Sequence, residues 1–161
     1  MSQNSLFLPD AVFVSNAKDS KELFEEISAK LLAKKYVKED FFVQITKREK
    51  NYPTGIDTSP IAKELPNVAM PHTESEYVNA RLIVPIALSE PVVFYNMIVP
   101  DEQLQVKFLF MILNNDPEGQ ANILAQIMDF LRLTPVSELQ RLFNFTNPEQ
   151  IYQFMSENFK K

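Results

Sequence analysis

The sequence predicts an α/β fold in a single domain over 1–161, a mixed β-sheet flanked by helices on both faces. Three observations carry this. Segments of helical periodicity stand near both ends of the chain, while β-branched and aliphatic runs fill its middle. The run "VKFLFMIL" is apolar nearly throughout, as a central strand covered on both faces requires. The order helices, strands, helices then suggests a sheet covered on both sides. A chain of 161 residues, 45% hydrophobic and 23% charged, is long enough to bury one substantial core.

"AVFV" reads as a short first strand. "DSKELFEEISAKLLAKKYV" follows as a helix, with Asp19 as N-cap and Glu22 closing a capping box. Its apolar face is Leu23, Phe24, Ile27, Leu31 and Leu32. "KEDFFVQITKREKN" is a second helix with Phe41, Phe42 and Ile45 inward, and Arg48 near the edge of that face. Pro53 and Gly55 end it, and a loop rich in Pro, Thr, Ser and Asp runs on through Glu64. "NVAM" is a short strand stopped by Pro71.

"ARLIVPIAL" and "PVVFYNMIV" read as two further strands, and Pro85 places the first at an edge or a bulge. After "VKFLFMIL", the segment "DPEGQANILAQIMDFLRL" returns to helix on the stripe Ile123, Leu124, Ile127, Phe130 and Leu131. "TPVSELQRLFN" puts Thr134 at an N-cap and Pro135 at the first helical position. "NPEQIYQFMSENF" repeats the device with Asn147, Pro148 and Gln150, and Lys160-Lys161 reads as a tail.

Composition removes most chemistries. With no cysteine there is no disulfide, thiolate metal site or thiol nucleophile. A net charge of −5 disfavours nucleic acid. The start "MSQNSLFLPDAVFV" has neither the positive region nor the long apolar core of a signal peptide, and no tract is long enough to span a bilayer. The chain is expected to be soluble and cytoplasmic, without membrane insertion. With Gly55 and Gly119 as the only glycines, no glycine-rich phosphate loop exists; there is no calcium loop and no G-x-S-x-G elbow. No metal and no small cofactor is expected.

What remains is His72, the one histidine, in "NVAMPHTESE". Lone histidines are most often structural, a helix arginine most often a solvated charge, and the Glu74/Glu76 pair reads as a solvated turn. An imidazole at a strand end is nonetheless a competent nucleophile near neutral pH, and a phosphohistidine splits phosphoryl transfer into two steps. Such a site needs one ring nitrogen outward, the other held by a hydrogen bond, and donors or an arginine on the phosphoryl oxygens. Arg48 is the candidate cation, and Thr54 and Thr73 are candidate hydroxyl donors.

"REKNYPTG" followed by "NVAMPHTESEYV" resembles the enzyme IIA components of the bacterial sugar phosphotransferase system, of the fructose–mannitol type. The likeness rests on Arg48-Glu49, then Thr54, then Ala69-Met70-Pro71-His72, with the order of elements matching along nearly the whole chain. "PTG" after the arginine, and an acidic residue soon after the histidine, look most like galactitol-specific members. The resemblance implies the family fold. It also implies that His72 accepts a phosphoryl group from phospho-HPr and passes it to a cysteine of a separate enzyme IIB, with Arg48 stabilising its charge. It implies a monomeric, free-standing carrier. A regulatory role, in which another protein reads the phosphorylation state, is the alternative. Two features depart from the family: the loop from Arg48 to His72 is longer, and Gln120 stands where many members carry a second histidine.

Overall fold

A computed structural model describes residues 5–159. The Lys160-Lys161 pair and the first four residues of the chain lie outside them. In chain order the elements are β1 (Phe13–Ser15), α1 (Ser20–Ala33), α2 (Phe41–Asn51), β2 (Gly55–Ile56) and β3 (Asn67–Ala69). A 3-10 turn (Ser75–Tyr77) precedes β4 (Arg81–Tyr95) and β5 (Gln103–Asn114). The last three elements are α3 (Gln120–Leu133), α4 (Val136–Phe143) and α5 (Pro148–Asn158).

The strands form one five-stranded sheet in the order β1-β4-β5-β3-β2. β1 runs parallel to β4 and β3 parallel to β5, whereas β4–β5 and β2–β3 are antiparallel. The sheet is therefore mixed, and "VKFLFMIL" lies at its centre, as its composition demands.

Side-chain alternation along the two central strands divides the core in two. Leu82, Val84, Ile86 and Leu88 of β4, with Leu109, Met111 and Leu113 of β5, face α1 and α2, where Phe24, Ile27, Phe41 and Ile45 meet them. Ile83 of β4 and Phe108, Phe110 and Ile112 of β5 face the opposite way, onto Ile127, Phe130, Leu139 and Phe154 of α3–α5. Both faces carry helices, as predicted.

Four local expectations are corrected. "ARLIVPIAL" and "PVVFYNMIV" are one strand, β4, whose pairing with β5 shifts between Ala87 and Val92. Opposite that shift the β5 alternation also slips: Leu104 and Val106 face the α1/α2 core, whereas Phe108 faces α3–α5. Lys107 sits at the slip and donates from Nζ to the Leu88 and Ser89 carbonyls, at 2.7 and 3.2 Å. Such paired irregularities bend a ribbon without ending it. Pro85 is correspondingly inside an inner strand. Ile83, two residues earlier, donates its N–H to the Leu6 carbonyl on the β1 side. Backbone donors alternate, so the missing N–H of Pro85 falls on that same side, before the β1 ladder begins at Ile86.

A cap and a loop supply the other two corrections. Thr134 is not the N-cap of α4; Pro135 takes that position, and the Thr134 N–H closes α3 on the Phe130 carbonyl. The loop after α2 is not wholly irregular either, since Gly55–Ile56 forms β2. The other caps hold. Asp19 Oδ1 accepts the Glu22 N–H at 2.8 Å, although Glu22 reaches back to Lys18 N–H, not to that of Asp19 itself. Asn147 caps α5 through the Glu149 N–H. Among the described residues no helix is long and apolar enough to cross a membrane.

Candidate active site

β3 stops at Ala69 because Pro71 cannot extend it, yet the chain stays fixed beyond its end. Met70 N–H donates to the Thr54 carbonyl at 3.2 Å, and the Pro71 carbonyl accepts Ile112 N–H at 3.0 Å. His72 itself makes a parallel bridge with Ile112 of β5. Its ring Nδ1 lies 2.8 Å from the Met70 carbonyl oxygen. A carbonyl only accepts, so Nδ1 carries the proton and the neutral ring keeps its lone pair on Nε2. Nε2 makes no hydrogen bond among the described residues.

The His72 side chain is otherwise packed away, at 9% exposure. Burial pushes its pKa below the usual 6.5; the Met70 carbonyl and Glu74 oppose this, and the Arg48 charge adds to it. The ring is therefore neutral at pH 7, as a nucleophile must be.

Arg48 lies in the last turn of α2 and comes close enough for its charge to act on His72. Its Nη1 donates to Glu74 Oε2 at 2.5 Å, and its guanidinium stacks over the Tyr52 ring at 5.2 Å. Its Nε–H is buried without a partner. Glu74 is thus more than the solvated turn residue its sequence context suggests: it is the counter-ion of Arg48.

Thr54 is buried, at 3% exposure, and both its backbone N–H and its hydroxyl are bound to the Glu49 carboxylate, at 2.7 and 2.8 Å. Its hydroxyl proton is occupied there. The Thr73 hydroxyl is likewise used on the Glu74 carbonyl, at 2.9 Å. Glu49 itself is half-buried, and desolvation raises its pKa from the ordinary 4.5 to about 7, against the pull of the two Thr54 hydrogen bonds and the Arg48 charge. Next along the chain, Gly55 passes so near β4 that an added Cβ would stand 2.5 Å from the Tyr95 carbonyl oxygen. Only glycine fits there, and this fixes where Thr54 sits.

Gln120, the first residue of α3, accepts from Asn114 Nδ2 at 3.2 Å through Oε1, while its Nε2 is buried without a partner. Asn114 ends β5 two residues beyond Ile112, so Gln120 is tied to the strand that carries His72's neighbour.

The structure brings His72 and Arg48 together, keeps Thr54 on the same backbone path with its hydroxyl engaged, and adds Glu49 and Glu74. Sequence reasoning gave Glu49 and Glu74 no site role. A signal for Glu49 was present, because a carboxylate in the last turn of a helix opposes the helix dipole. Glu74 had none, since its partner is 26 residues away in sequence.

This geometry can be set beside known proteins. No curated protein matches the chain in sequence. Solved structures share its fold at low identity. The mannitol IIA of Escherichia coli is 18% identical, with 92% of this chain and 98% of that chain covered and a TM-score of 0.71. The complex of enzyme IIA-mannitol with phosphorylated enzyme IIB-mannitol from Escherichia coli contains a match at 18% identity, over 92% of this chain and 95% of that one, with a TM-score of 0.69. The nitrogen regulatory protein IIA-Ntr of Neisseria meningitidis is 20% identical over 93% of this chain and 96% of that one, with a TM-score of 0.63. Residues 5–158 match the family described as phosphoenolpyruvate-dependent sugar phosphotransferase system, EIIA 2. The chain belongs to that family of sugar phosphotransferase system IIA proteins.

Proposed function

We propose that the chain is a phosphocarrier that takes a phosphoryl group from phospho-HPr onto His72 Nε2 and delivers it to a cysteine of a cognate enzyme IIB. The observation that carries this reading is the His72 ring, held through Nδ1 by the Met70 carbonyl, so that Nε2 keeps the lone pair, with Arg48 near enough for its charge to act on the ring. The Nε2 lone pair attacks phosphorus in line as the bond from phosphorus to the donor breaks, and that bonding pair leaves with the donor. The proton stays on Nδ1, donated to the Met70 carbonyl, throughout. In the second step a partner thiolate attacks the same phosphorus, and the Nε2–phosphorus bond breaks.

No proton has to move onto or off His72 in either direction, so catalysis consists of positioning and charge stabilisation. Arg48 supplies the charge, and its unspent Nε–H is a donor for a phosphoryl oxygen. Neither Thr54 nor Thr73 donates unless it first gives up its present acceptor. The net charge of −5 suits a donor with a basic face. The likeness to the IIA partner in the mannitol IIA–IIB complex supports an enzyme IIB as acceptor. Galactitol is the proposed sugar, on the "PTG" and the acidic residue after His72. We also propose a cytoplasmic monomer.

Intact-protein mass after incubation with phosphoenolpyruvate, enzyme I and HPr tests the reading. One acid-labile phosphoryl adduct, absent in His72→Ala, is expected; no adduct with active donors would sink the carrier. The likeness to IIA-Ntr favours one second reading, a regulatory module whose phosphorylation state another protein reads. That reading predicts the same adduct but no onward transfer to an enzyme IIB.

A further inference from the structure

We infer that Glu49 is a positioning residue of this site, holding the backbone path that fixes the His72 ring. The inference deepens the phosphocarrier reading and rests on it for its kinetic consequence. The path is continuous. The Glu49 carboxylate accepts the N–H and the hydroxyl of Thr54. The Thr54 carbonyl accepts Met70 N–H, and the Met70 carbonyl accepts Nδ1–H of His72. Each link is a hydrogen bond between adjacent groups, and between Thr54 and His72 the links are made by backbone.

Three features set Glu49 apart from an ordinary helix-end residue. It is an acid in the last turn of α2, where the helix dipole disfavours negative charge. It is half-buried but makes no salt bridge among the described residues, because the neighbouring Arg48 reaches Glu74 instead. Consecutive helix residues point about 100° apart, so one turn aims the cation at the surface beside His72 and the carboxylate at the loop below it. The helix end thus locates both the charge that meets the phosphoryl group and, through Thr54, the ring that receives it. A half-buried carboxylate placed against the dipole, with the neighbouring cation paired elsewhere, is costly. The two hydrogen bonds to Thr54 are what it receives in return.

The test uses the fact that the chain has one histidine. With 15N-labelled histidine, the unphosphorylated protein shows a single pair of ring nitrogens, whose shifts report the tautomer. Wild type is expected to show a protonated Nδ1 and a bare Nε2. Glu49→Ala is expected to move both shifts toward tautomer averaging. It is also expected to slow phosphoryl acceptance from phospho-HPr by about tenfold to a hundredfold, with the half-saturating donor concentration within about twofold of wild type. Thr54→Val, which keeps the backbone links and removes one of the two bonds to Glu49, is expected to shift the same signals less. It carries the test if Glu49→Ala does not fold.

Wild-type ring shifts in a folded Glu49→Ala, or in Thr54→Val where Glu49→Ala does not fold, would overturn the inference and leave Glu49 as a fastening of the loop. Failure of every form, wild type included, to accept a phosphoryl group would remove the carrier reading instead. The ring shifts would still decide whether Glu49 orients His72.

Discussion

His72 and Glu49 are shifted by the same burial in opposite chemical senses: a base made harder to protonate and an acid made harder to ionise. Their effects on stability run opposite ways. Glu49 titrates at about 7 when folded and at 4.5 when free. Between those values the unfolded chain has lost the proton that the folded one keeps, so stability falls as pH rises and the loss is complete above about 7. His72, with its folded pKa lowered, instead loses stability as pH falls below 6.5. Comparison with Glu49→Gln isolates the first effect. In urea titrations the variant is expected to gain on wild type steadily from pH 5 to pH 7.5, and a difference that stays constant with pH would refute it. His72 and Arg48 were legible as a pair because a strand-ending proline-histidine and a helix-end arginine are local patterns. The Glu49–Thr54 clamp was not, because Thr54 reaches Glu49 only after the chain has turned at Pro53.

The elements around the site are shaped by close approaches more than by propensity. Gly55 holds β2 against both β3 and the end of β4, with Asn96 bridged to it and Met97 N–H on its carbonyl. An alanine there must push the Tyr95 backbone aside. Gly55→Ala is expected to cost about 1–3 kcal/mol, as overpacking does. It should also slow phosphoryl acceptance, because Thr54 moves with it. Wild-type stability and rate in thermal and mass assays would contradict this. β4 shows what pattern reading misses at this scale. Pro85 reads as an edge or a bulge, and the polar "SE" as a gap between two strands. Yet the strand continues, because Pro85 turns its missing donor to a side where no ladder bond is due and Lys107 holds the carbonyls freed at the irregularity. Neither compensation lies within the strand's own sequence.

At the scale of the whole molecule, the sheet with a helical layer on each face follows from period and composition, which many residues report together. The α1/α2 and α3–α5 cores are separated by alternate side chains of β4 and β5, so the fold class survives an error of several residues in any one element. This is why it was legible when the α4 cap and the β4 boundaries were not. The same architecture sets His72 on a strand end braced by β5 on one side and by the loop after α2 on the other. In the proposed carrier this bracing leaves Nε2, and not Nδ1, to take the phosphoryl group. The measurement that tests it most directly is the 15N spectrum of the phosphorylated protein labelled at histidine, read for coupling to 31P. Coupling at Nε2, with Nδ1 still protonated, is the predicted result. Coupling at Nδ1, or a phosphoryl group on any other residue, would contradict the account.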